Sequence, residues 1–322
     1  MMAGKDLCTP FRRCPAERER MSMRLKAKQI HALLAQIKPF AENISLETRR
    51  RVQNSLGKLM RVIHPAHVRV NRHDFGVFPA AWVLPKDIQR EGVILYLHGG
   101  GYTCGGLEYA LGFGATLADE CGVRVFCAAY RLAPESRFPA AVEDAVAAYR
   151  YLLDQGYPPE EISLCGESAG GGLCYSLCMY LRQRELPLPG SVVAISPWVD
   201  LTGSGESNKE NRDKDATLSS ERLDFCARCY TDSPAEPLAS PLFGNLAGMP
   251  PSLIFAGGDE MLLSDAKRLH DKLRHQGCVS QLSIRPERWH AYVLYGLADD
   301  REDMARINAF LGKNRSQERK LV

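Results

Sequence analysis

The chain has 322 residues, 45% of them hydrophobic and 25% charged, with a net charge of +3. That length suits one large α/β domain or two smaller ones. Near-balanced charge gives no support for the strongly basic footprint of a nucleic-acid binder. No apolar run approaches the roughly 20 residues that span a bilayer, and the mixed-charge start (FRR, ERER, RLKAK) lacks the apolar core of a secretory signal. A cytoplasmic protein is expected.

Residues 1–20 show almost no apolar periodicity and are expected to be unstructured, with Met21 or Met23 as alternative starts. Segments 25–37 and 46–62 have apolar residues at helical spacing. HVRV (67–70) and AAWVLP (80–85) suggest an antiparallel edge. From residue 92 strand-like and helix-like segments alternate. The strands are GVILYLHG (92–99), RVFCAAY (124–130), ISLCGES (162–168), SVVAISPW (191–198), PSLIFAGG (251–258) and SQLSIRPE (280–287). Helical patterns fall at 106–120, 139–155, 169–184 and 264–276. Near-continuous apolar strands joined by crossover helices predict a mostly parallel sheet covered on both faces. A polar stretch over 202–240, with one short helix near 220–230, interrupts the rhythm.

The chain holds eleven cysteines. Cys127, Cys165, Cys174 and Cys178 lie inside apolar elements, where a thiol acts as a small hydrophobe. The C-x-x-C of Cys226 and Cys229 has no second Cys or His pair to complete a zinc site. Reduced thiols and no metal are the expectation.

Chemistry concentrates at Leu164–Gly172, LCGESAGGG. Ser168 sits in G-x-S-x-G between an apolar strand and a helical pattern, the setting of a nucleophile elbow. Such a turn admits only small residues two positions either side of the serine, and it places the hydroxyl at a helix N-terminus. The bland alternative is a helix N-cap serine. A serine nucleophile needs a base, an acid to orient the base, and donors for the oxyanion. His98-Gly99-Gly100-Gly101-Tyr102 follows a strand and matches an H-G-G-G oxyanion motif. Of eight histidines, His290 alone follows the last strand, at the sheet's C-terminal edge. The acid should come between Ser168 and His290 in the chain. Asp259 leaves its strand directly and is preferred. Glu260 and Asp265 read as acids at a helix start, and Asp200 is the other candidate.

With those residues in place, the chain resembles the hormone-sensitive-lipase-like branch of the α/β-hydrolases, the bacterial carboxylesterase type. The resemblance spans about residues 90–312 and rests on HGGGY (98–102), YRLAPE (130–135), FPAAVED (138–144), GESAGG (166–171), SPWVDLT (196–202), PLASP (237–241), GDEMLLSD (258–265) and His290. It implies an α/β-hydrolase fold with a helical cap formed by residues 1–66 and an insertion at 202–235, over a core of 67–201 and 236–322. It further implies Ser168 as nucleophile, His290 as base, Asp259 as its partner, and an oxyanion hole of the Gly100, Gly101 and Ala169 amides. Arg131 and Glu135 would brace the oxyanion loop. Two positions depart from the family pattern: Glu167 stands where Asp is common before the serine, and Ala291 where Gly commonly follows the histidine.

The expected activity is hydrolysis of short-chain or small acyl carboxylic esters, without cofactor, on a small-molecule substrate. A lactone or amide hydrolase with the same triad, and a non-catalytic small-molecule receptor, are the rivals; a homodimer is left open.

Overall fold

The computed structural model describes residues 27–63 and 66–318, so the expectations for residues 1–20 and for a start at Met21 or Met23 lie outside the described residues. Eight strands form one sheet: β1 (Val68–Asp74), β2 (Pro79–Pro85), β3 (Val93–Leu97), β4 (Arg124–Ala128), β5 (Ile162–Glu167), β6 (Ser191–Ile195), β7 (Ser252–Gly257) and β8 (Ser280–Arg285). Their order is β1-β2-β4-β3-β5-β6-β7-β8. β2 pairs antiparallel with β1 and β4, as the edge residues suggested, and every pairing from β4 to β8 is parallel.

The central strands are buried on both sides because both faces carry helices. Val93, Leu95 and Leu97 of β3 point into one core, packed with α4 (Ala140–Asp154), α5 (Ala169–Gln183) and α8 (Leu263–His275). Ile94 and Tyr96 point into the other, with α3 (Leu107–Cys121) and α9 (Arg301–Glu318). Helix α9 was not among the expected elements. Met304, Ile307, Phe310 and Leu311, all buried, supply the helical spacing that marks it.

The remaining helices lie outside the sheet rhythm. α1 (Ala27–Glu42) and α2 (Leu46–Ile63) precede the sheet, while α6 (Ser207–Glu210) and α7 (Ser220–Tyr230) follow β6. α2 packs against α3, and Gly57 makes that approach: a Cβ there would lie 2.2 Å from the Glu108 carbonyl oxygen. α1 inserts Ala27, Ile30 and Leu34 against the second core.

Candidate active site

The chain leaves β5 through Ser168 with φ 55° and ψ −123°, and α5 begins at the next residue. A non-glycine residue held there is strained, by about 1–3 kcal/mol, and must be over-determined by its surroundings. Here the Ser168 N–H donates to Ile195 O (2.9 Å), and its carbonyl accepts from the Gly172 and Trp198 amides. The flanking glycines are obligatory: a Cβ on Gly166 would stand 2.4 Å from Gly170 O, and one on Gly170 2.0 Å from Leu97 O. The small residues around Ser168 thus exist because three backbone segments meet there.

The loop after β3 approaches the same point. Gly100 (φ 119°) and Gly101 (φ 61°) adopt conformations that side chains rarely take, and a Cβ on Gly101 would strike Cys226 Sγ at 2.7 Å. Among the described residues the amides of Gly100, Gly101 and Ala169 have no protein acceptor. Glu167 fixes this loop. Its Oε1 accepts the Gly99 N–H (2.5 Å) and its Oε2 the Tyr96 hydroxyl (2.6 Å). Burial pushes the Glu167 carboxyl up to about 7 against those hydrogen bonds. The Asp-to-Glu departure therefore supplies a side chain long enough to reach the oxyanion loop. His98 stacks on Tyr130 at 4.4 Å, and burial lowers its pKa to about 4, which keeps the ring neutral. Arg131 pairs with Asp144 and Glu143. Glu135 acts on the loop through Arg50, whose Nε donates to Thr103 O (2.7 Å).

Beyond β5, successive strand ends carry polar groups in line. Ser196 follows β6, with φ 48°. Its hydroxyl donates to Glu260 Oε2 (2.6 Å) and accepts the Ala291 N–H (3.0 Å). Glu260 follows β7 and is fully buried; its Oε2 lies 3.7 Å from His290 Nδ1. Burial works against charge on the His290 ring, but the Glu260 carboxylate outweighs it, and the pKa is raised above the ordinary histidine value. Ala291 adopts a left-handed conformation (φ 55°, ψ 31°), which accounts for glycine in the resembled pattern.

Asp259, the expected acid, is not the carboxylate beside His290. Its amide still donates along the β7–β8 edge, to Arg288 O (3.0 Å), and among the described residues no hydrogen bond or ion pair involves its side chain. β7 ends at Gly257, one residue earlier than the expected run, and the inward, fully buried position beyond it falls on Glu260. Asp265 and Asp200 are also placed elsewhere. Asp265 accepts the Val199 and Asp200 amides, with burial raising its pKa to about 8, and Asp200 pairs with Arg268 (2.7 Å).

The polar stretch after β6 supplies positioning groups that the sequence did not reveal. Asn211 Nδ2 donates to Gly258 O (3.1 Å) and Glu260 O (3.0 Å), and Asp215 Oδ2 accepts the Met261 amide (2.9 Å). α1 rests on this segment, Lys38 donating to Asp215 O (2.8 Å). On the other side, Tyr230 of α7 stacks on Tyr102 of the glycine loop at 3.9 Å. Cys226 lies against Thr103 and Gly101, and among the described residues no cluster of three or more potential ligands could hold a metal.

A strained serine at a strand-to-helix turn, a glycine loop with open amides and a carboxylate–imidazole pair at the same sheet edge define a serine hydrolase of the α/β type. Residues 94–294 match the family described as alpha/beta hydrolase fold. The acetyl-hydrolase of Streptomyces hygroscopicus is 41% identical over 238 residues, 72% of this chain and 79% of that protein. The ethyl acetate hydrolase of Pseudomonas putida is 33% identical over 219 residues, 63% of this chain and 66% of that protein. The crystal structure of an esterase from the bacterial hormone-sensitive lipase family superposes with a TM-score of 0.83 at 34% identity, covering 90% of this chain and 99% of that one. The chain belongs to the α/β-hydrolases, in their hormone-sensitive-lipase branch, and is a carboxylic-ester hydrolase. No described helix is long and apolar enough to cross a membrane.

Proposed function

We propose that Ser168 attacks the ester carbonyl, that His290 takes its proton, and that Glu260 orients and stabilises the resulting imidazolium. The observation that carries this reading is the strained Ser168 turn on the same sheet edge as the His290–Glu260 pair. The oxyanion formed on attack would accept hydrogen bonds from the Gly100, Gly101 and Ala169 amides. Those dipoles are fixed before the reaction, so no reorganisation accompanies charge development. His290 then protonates the leaving alcohol oxygen, the acyl group remains on Ser168 Oγ, and His290 deprotonates a water that releases the acid.

The names of the two similar hydrolases, for acetyl groups and for ethyl acetate, support short acyl esters as the substrate class. α1, α2 and the 202–235 segment are proposed to form the cap over the site, since α2 contacts the glycine loop, the 202–235 segment contacts the Glu260 turn, and α1 rests on that segment. A reducing compartment such as the cytoplasm suits the nine described cysteines, all of which are free.

A fluorophosphonate probe and a p-nitrophenyl ester series test the assignment. Ser168→Ala should abolish both labelling and turnover with the fold intact, and His290→Ala should behave alike. Undiminished labelling of Ser168→Ala would place the nucleophile elsewhere.

A further inference from the structure

α2 packs with its polar side inward. Arg50 donates to Thr103 O and Ala133 O, Asn54 Oδ1 accepts the Tyr109 amide, Arg61 pairs with Glu108, and Gln53 lies beside Gly100. Its apolar stripe, Val52, Leu56, Leu59 and Ile63, therefore faces outward, with Val62 next to it, and each of these is about half exposed or more. α1 turns apolar Ala27, Ile30 and Leu34 inward yet also leaves Leu33, Ile37 and Phe40 about half exposed or more. These two helices supply eight of the fourteen exposed large hydrophobic side chains among the described residues, so the apolar surface is concentrated, not scattered.

Charge follows the same division. The first 66 residues hold 14 of the 41 Lys and Arg but only 5 of the 38 Asp and Glu, a net charge of +9, leaving the rest of the chain at −6. Lys28, Arg51 and Lys58 are exposed on the same helices as the stripes. A second copy meeting this face two-fold would set like charge against like charge. Residues 1–26 are themselves basic, with 7 Lys and Arg against 3 Asp and Glu, which suits them ill as a cover for a basic face.

We propose that the outward faces of α1 and α2 dock on an anionic lipid bilayer, with the apolar stripes in the interface and the cations against lipid phosphates. Basic helices with one strongly apolar face lie in the membrane surface without spanning it. Because the inner face of α2 touches the Gly100 loop, docking brings the site to about one helix diameter, ~10 Å, from the lipid.

Flotation of the full chain with vesicles tests this. It should bind vesicles of equal parts phosphatidylcholine and phosphatidylglycerol, bind pure phosphatidylcholine weakly, and be released by high salt. Leu56→Ser with Leu59→Ser should abolish binding, and Arg51→Gln with Lys58→Gln should weaken it about fivefold per cation removed. Both variants should hydrolyse soluble p-nitrophenyl acetate as the parent does. Ser168→Ala should bind vesicles normally, so failure of the triad assignment would not be mistaken for failure of docking. Absence of anionic-vesicle binding, or equal binding to neutral vesicles, overturns the proposal. A dimer that Leu56→Ser with Leu59→Ser dissociates, without vesicle binding, would assign the face to a second copy.

Discussion

At His290 burial and a neighbouring carboxylate act in opposite directions, and the carboxylate prevails. Glu260→Gln removes the charge that raises the imidazole pKa, so the acidic limb of the kcat/KM profile should move to lower pH. The plateau should fall by about 10³–10⁴-fold, the scale seen when a triad carboxylate is made neutral. Asp259→Asn should leave limb and plateau nearly in place; a pH series on both variants decides between the two carboxylates. Ser168, Gly100 and Gly101 were legible in sequence because backbone crowding leaves few residue types able to stand there. Asp259 and Glu260 were not separable that way. Which of two adjacent carboxylates faces the imidazole depends on where β8 and its following loop release the β7 chain, a long-range fact. Ser196, holding Glu260 and the Ala291 amide together, was equally hidden, since serine before proline reads as an ordinary turn.

Among elements, the parallel strands announced themselves by short apolar runs ending in Gly or Pro, and the expected runs overshoot β3, β5 and β6 by one to three residues because polar strand ends already turn toward the site. The segment after β6 was the opposite case. Its polarity marked it only as an interruption of the rhythm, yet Asn211 and Asp215 are buried and spend their hydrogen bonds on the turn that carries Glu260. Asn211→Ala would leave the Gly258 and Glu260 carbonyls without that donor. We expect a loss of about 1–3 kcal/mol in urea unfolding. Turnover should fall more than KM rises, because the acid loosens while the oxyanion loop is untouched. An unchanged kcat would show that the Glu260 turn holds itself.

For the whole molecule, the expected mostly parallel sheet with helices on both faces is what the chain adopts, since alternating apolar strands and helices permit few other arrangements. The functional groups are spread along that sheet: Ser168 after β5, Ser196 after β6, Glu260 after β7 and His290 after β8, four neighbouring strands in register. More than 120 residues separate the serine from the histidine in sequence, so closing this half of the sheet is a matter of slow, long-range pairing. On dilution from urea, helices should return first and reactivity last. Far-UV circular dichroism should therefore recover ahead of fluorophosphonate labelling, and simultaneous recovery would refute that order. With the proposed triad, a nascent or partly folded chain would carry no armed serine: chemical competence would be withheld until the final strand has docked.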